Sequence, residues 1–212
     1  MQKRVIRRVV PGFMAVAALT VGFVGLGANS SGATSPNQFE MVRSTAAVNS
    51  GCLPNAKASV RVVQFEQNEH MFVRVSGLPP ETGFDLFVIQ TPDSPFGVAW
   101  YQSDLQTNHG GHGEVMVAGR FNKETFSLSL GGPANGSDPT QGLTGPAVKD
   151  TNVVFRPTSQ FHLGLWFNSP EDAAKAGCGS NVTPFNGEQH AGVQAMSTRN
   201  FPVNAGPLGN ID

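Results

Sequence analysis

Ser59-Val60-Arg61-Val62-Val63-Gln64-Phe65, followed a few residues later by Met71-Phe72-Val73-Arg74-Val75, decides the fold class. Both runs are rich in β-branched and aromatic residues, and apolar side chains alternate with polar or opposite-facing ones. A strand sends successive side chains to opposite faces, so this period of two is the mark of a strand with one buried face. Gln67-Asn68-Glu69-His70 between the runs suits a hairpin loop. The two runs therefore read as neighbouring antiparallel strands.

The same theme continues along the chain. Phe84 to Gln90, Val98 to Tyr101, Glu114 to Ala118, Thr125 to Leu130 and Phe161 to Phe167 are short apolar or alternating runs split by Gly, Pro, Asn and Asp. Asn186-Gly187 is a strong hairpin signal because both residues tolerate positive φ. It is expected to join Val182–Phe185 to a last strand at Ala191–Met196. Many short strands at near-regular spacing predict an all-β fold, an antiparallel β-sandwich of the Ig-like or Greek-key kind with about seven to nine strands.

One helix interrupts the pattern. Ser169-Pro170-Glu171-Asp172-Ala173-Ala174-Lys175-Ala176-Gly177 has a capping Ser, a Pro at the first helical position, acids in the first turn and a terminating Gly. The segment 131–159 is rich in Gly, Pro, Asn, Asp and Thr and reads as a long loop. Residues 34–50 are polar without clear periodicity and read as a flexible leader, which leaves 51–212 as a single domain.

The N-terminus carries an export signal. Lys3, Arg4, Arg7 and Arg8 precede an apolar run from Phe13 to about Leu26, and Ser31-Gly32-Ala33 offers small residues for cleavage after Ala33. Residues 1–33 are thus expected to be a signal peptide, with the rest of the chain secreted and not stably inserted in a membrane. Four of the 14 basic residues would leave with the signal, so ten would remain against 15 acidic ones, a net charge of about −5. No basic run remains, so nucleic acid is not an expected partner. Two cysteines in an oxidising compartment, Cys52 and Cys178, are expected to pair.

Three resemblances bear on this reading. Val73-Arg74-Val75-Ser76-Gly77-Leu78-Pro79-Pro80 with Phe84-Asp85-Leu86-Phe87-Val88 resembles a corner of fibronectin-type and other Ig-like sandwiches, which implies fold alone. The same Gly77–Val88 block resembles a group of secreted actinobacterial proteins to which no activity is attached. Phe161–Phe167 leading into Ala173–Cys178, and Thr183–Glu188 leading into Ala191–Gln194, carry that likeness further. Phe65-Glu66-Gln67 and the Gly77-Leu78 exit resemble copper–zinc superoxide dismutase, but no His stands in Phe84–Val88, so no copper site is implied.

Candidate chemistry is sparse. His109-Gly110-Gly111-His112 is the one close histidine pair, and with a third ligand such as Asp104, Glu114 or His190 it would chelate a divalent metal. The plainer reading is a solvated hairpin loop, so no cofactor is expected. Alternation puts His162 on one strand face with Gly164 and Trp166, where Glu188 or His190 would be its functional partner. Trp100, Tyr101, Phe96 and Trp166 raise a carbohydrate platform, but adjacent Trp100 and Tyr101 point to opposite faces of a regular strand. Nucleophile-elbow, zinc-helix, phosphate-loop and dinucleotide motifs are all missing. The expectation is a secreted, non-catalytic module that binds an extracellular protein or glycan. The alternatives are a metal-dependent enzyme or metal-binding protein built on the histidines, and a structural envelope protein.

Overall fold

A computed structural model describes residues 37–123, 126–130, 155–183 and 190–212, with 126–130 and 155–159 described by their backbone. Residues 1–33, where a signal peptide is expected, residues 131–154 and Asn186-Gly187, where a turn is expected, lie outside the described residues. In chain order the elements are β1 (Gln38–Arg43), α1 (Thr45–Asn49), β2 (Lys57–Gln64), β3 (Glu69–Ser76), β4 (Gly83–Ile89), β5 (Ala99–Gln106) and β6 (Gly113–Gly119). They continue with β7 (Phe126–Leu130), β8 (Phe155–Ser159), β9 (His162–Phe167), α2 (Pro170–Lys175) and β10 (Gln194–Ser197), and a 3-10 turn at Pro207–Asn210.

The all-β antiparallel class holds. Eight strands form one sheet in the order β5-β4-β9-β10-β1-β2-β3-β6, and β7 pairs with β8 separately. Every pairing is antiparallel. The two terminal strands of the sheet, β5 and β6, are consecutive in the chain and joined by residues 107–112, so the sheet curls until its ends approach, close to a barrel. β1 links the two halves: Gln38–Met41 pair with β2, whereas Val42 and Arg43 pair with β10.

Three segments differ from the sequence reading. The leader is not a leader from residue 38 onward, because Phe39 and Met41 are buried and their strand sits inside the sheet. Two alternating apolar residues are too short a pattern to stand out in sequence. Residues 155–159, read as loop, form β8, whose Pro157 fits a strand paired on one side only. The last hairpin is also revised: Val182 and Thr183 are in no strand, and β10 pairs with β9 and β1 instead.

Alternation builds the core. Val60 and Val62, Met71 and Val73, Phe84 and Leu86, and Leu163, Leu165 and Phe167 all turn inward. Register makes them meet, since Phe84, Leu86 and Val88 stand opposite Phe167, Leu165 and Leu163. Each fully buried side chain of this size contributes roughly 1.5–3 kcal/mol. A buried carboxylate closes one end of β3: Glu69 accepts hydrogen bonds from the Phe121 N–H at 2.9 Å and the Asn122 Nδ2 at 2.7 Å, fixing the chain as it leaves β6.

One local device is used twice. Ser44 caps α1 by accepting from the Ala47 N–H, and Ser169 caps α2 by accepting from the Asp172 N–H. Each helix ends at a glycine with positive φ, Gly51 at 71° and Gly177 at 76°, which is the left-handed exit that glycine adopts without steric cost. A cysteine follows each at once. After α2, the Gly177 and Cys178 N–H groups bond to Ala174 and Ala173 carbonyls, a Schellman ending. Cys52 and Cys178 are bonded to each other with Cα atoms 5.3 Å apart and a sequence separation of 126.

Closing so long a loop is worth up to ~4–5 kcal/mol in the chain-entropy model. The double variant Cys52→Ser/Cys178→Ser is expected to lose about 2–5 kcal/mol of stability. Urea denaturation followed by circular dichroism measures this, and an unchanged midpoint would show that the bridge does not constrain the fold.

Candidate functional site

The face of β4 and β9 turned away from the core is also buried. Every residue of β9, and every residue of β4 after Gly83, is inaccessible to solvent. A strand with one wet face alternates with polar residues, so these strands are covered on both sides. The outer cover is a second apolar cluster of Phe87, Ile89, Ala99, Trp166 and Ala191, with Phe96 packed against it. Phe96 comes from the β4–β5 loop, which folds back through Gln90 N–H to Val98 O and Thr91 N–H to Phe96 O, with a cis Ser94-Pro95 bond at its tip.

Trp166 is the centre of this layer. Its ring meets Phe87 edge to face at 5.5 Å and Phe96 at 4.9 Å. Gly164 makes room for it, because a Cβ there would lie 2.1 Å from the indole. Register then aligns four side chains across four strands: Asp104 of β5 stands opposite Asp85 of β4, Asp85 opposite Trp166 of β9, and Trp166 opposite Gln194 of β10. A bulge between Gln194 and Met196 lets Gln194 join this outer row while Ala195 and Met196 both enter the core.

The β5 end of the row reaches solvent. Trp100 and Tyr101 are 46% and 49% exposed. Tyr101 pairs with Phe87 and Trp100 with Val88, so they do lie on opposite faces. The Tyr101 hydroxyl donates to Asp104 Oδ1 at 2.8 Å. Partial burial, the bond to Asp104, the Asp104 charge and the Asp85 charge beyond it push the Tyr101 phenol up to about 12. Two carboxylates whose placement sequence could not reveal, Asp85 and Asp104, are thus direct neighbours, one buried and one at the margin.

The β10 end opens into a cleft of 490 Å³ between α1, loop residues 93–96 and segments 181–183 and 193–194. A wider depression of 690 Å³ lies on the other half of the sheet. Its floor is a second cross-strand row, Glu40–Ser59–Arg74–Glu114. There the Arg74 Nε sits 2.5 Å from Glu114 Oε2 with both side chains exposed. Such a pair is worth about 0–1 kcal/mol, so this is a solvated charged face.

The histidines take separate places. His162 is buried at the edge of the aromatic layer. Its Nε2 lies 3.0 Å from the Val203 carbonyl and its Nδ1 2.9 Å from Thr198 Oγ1. A carbonyl only accepts, so Nε2 carries the proton. Nδ1 then accepts from the Thr198 hydroxyl, which itself accepts from the Leu163 N–H. Burial outweighs these bonds and lowers the His162 pKa, keeping the ring neutral. His109 Nδ1 is 3.0 Å from Glu81 Oε1, both exposed, and His112 borders the charged depression. His190 is exposed, and Glu188 lies outside the described residues. Among the described residues no group of three His, Cys, Asp or Glu side chains is placed to hold a metal. Nor is any helix among them long and apolar enough to cross a membrane.

No protein-family model matches the chain, and no curated protein matches it in sequence.

Tyr101 is the only tyrosine, so its titration can be read directly from phenolate absorbance. The phenol is expected to ionise with a midpoint about 12, against the ordinary ~10. Asp104→Asn replaces a carboxylate acceptor with a weaker amide one and removes a negative charge, and since both favoured the neutral phenol the midpoint should fall. A wild-type midpoint near ~10 would show that Asp104 does not hold the ring.

Proposed function

We propose that this chain is a secreted, non-catalytic binding module whose contact surface is the exposed β5 margin at the end of the aromatic outer face. The observation that carries the reading is that β5, a strand that ends the sheet, exposes Tyr101 and Asp104 on its outer face and Trp100 on its other face. Tyrosine and tryptophan bring large, rigid contact area at small entropic cost, which is why they dominate binding hot spots. Here Tyr101 rests on Phe87 at 5.7 Å and is tied to Asp104, so little ordering remains to be done on binding.

Contact through side chains suits this strand better than addition of another strand. The β4–β5 register shifts between Leu86 and Phe87, which inserts an extra β5 residue and twists the edge. The bridge between Cys52 and Cys178 supports an oxidising, extracellular setting. His162 supports a non-catalytic reading, since both ring nitrogens are committed to Thr198 and Val203.

The test is binding of fluorescently labelled protein to the cell-envelope fraction of its native host. Trp100→Ala and Tyr101→Ala are expected to weaken binding at least ~10-fold each, a loss of ~1.4 kcal/mol, with the melting temperature close to wild type. Equal binding by both variants would exclude the β5 margin.

A further inference from the structure

The cleft at the other end of the row has a composition that selects for one ligand chemistry. Among the described residues its polar lining is Thr45, Asn49, Asp93, Ser94, Asn181, Thr183 and Gln194. All but Asp93 are hydroxyls or amides, groups that both donate and accept. Among the described residues of the lining, Asp93 is the one ionisable side chain and no basic side chain joins it. The carboxylate is already engaged, accepting from Thr45 Oγ1 at 2.6 Å and lying 3.6 Å from Arg199 Nε. A cationic ligand would compete with Arg199 for that charge. Because Asp93 and Arg199 balance each other, the described lining offers neither a cation nor an anion an unmatched opposite charge.

The apolar part of the wall is Ala46, Pro95, Phe96, Val182 and Val193. Phe96 is held from behind by Trp166, which fixes its position. Gln194 is itself buried, and its Nε2 donates to the Pro92 carbonyl at 3.3 Å, which fastens the loop that carries Pro95 and Phe96. The cleft therefore offers an apolar surface on one side and uncharged donors and acceptors on the other. Its 490 Å³ falls within the ~300–1,000 Å³ of small-molecule sites. A sugar ring matches both sides, with C–H groups for the first and several neutral hydroxyls for the second.

We propose that the cleft between α1 and the β4–β5 loop is a binding site for a neutral carbohydrate. This rests on the reading of the chain as a binding module and adds a ligand class and a second position on the same outer face. Free oligosaccharide and surface polysaccharide share this chemistry.

The chain has two tryptophans, so a nitrogen–proton correlation spectrum of the full-length protein shows two indole signals. Comparison with Trp100→Phe assigns them. Trp166 reports on the cleft through Phe96, and Trp100 reports on the β5 margin. Titration with maltotriose, mannotriose and chitotriose is expected to give a saturable shift of the Trp166 signal with at least one of them. Trigalacturonate, which is anionic, should give none. Asn49 and Asn181 are exposed, so Asn49→Ala/Asn181→Ala should fold normally, and it is expected to weaken the response at least ten-fold. Shifts confined to Trp100 would place sugar at the β5 margin, overturning the cleft proposal while leaving the binding-module reading in place. No shift with any neutral sugar, equal binding of trigalacturonate, or an unweakened response in the double variant would also overturn it. Envelope binding by the Trp100 and Tyr101 variants still judges the module reading separately.

Discussion

The division of β1 between two partners is the constraint on which the rest of the molecule depends. Its first four residues complete the ladder of β2 and its last two complete that of β10. Without it the sheet would be a four-stranded and a three-stranded piece with additional open edges, each exposing backbone groups and part of an apolar core. Ser44 sits where the strand ends and serves three structures at once. Its N–H bonds to the Ala195 carbonyl, its hydroxyl donates to the Gln194 carbonyl, and the same oxygen caps α1. The position of α1 follows directly from the strand before it.

From that position the functional geometry follows. α1 brings Thr45 to Asp93 and so docks the β4–β5 loop, which places Phe96 over Trp166. The exit of α1 through Gly51 delivers Cys52 to Cys178 at the matching exit of α2. The disulfide thus joins two helix ends, each flanking a strand of the sheet, and supports the wall of the cleft. The aromatic outer layer, the cleft and the β5 margin are parts of one assembly, joined by the row Asp104–Asp85–Trp166–Gln194.

Much of this was legible in sequence where the pattern was long. β2, β3 and β6 carry enough alternation to be recognised, β4 and β9 stand out as apolar runs, and α2 carries a cap, a proline and a glycine exit. The grouping of His162, Gly164 and Trp166 on one face also followed from the period of two. What alternation could not reveal is that this face is covered, since the cover comes from a loop and from residues near 191. β1 and α1 escaped notice because β1 alternates only two apolar residues, Phe39 and Met41, and α1 lacks the proline and first-turn acids that mark α2, so tertiary packing holds them. Cross-strand rows depend on register, which sequence does not display. The His162 partners Thr198 and Val203, 36 and 41 residues away, were hidden for the same reason.

The account therefore stands or falls on whether residues 38–44 belong to the cooperative core. Native-state amide hydrogen exchange tests this most directly. The protected amides of β1 and the Ser44 N–H should exchange with the same opening free energy as Val73 in the centre of β3, the signature of global unfolding. Exchange of the whole 38–44 segment at the rate of a free chain, while β3 stays protected, would mean that the sheet holds together without β1 and would contradict the account.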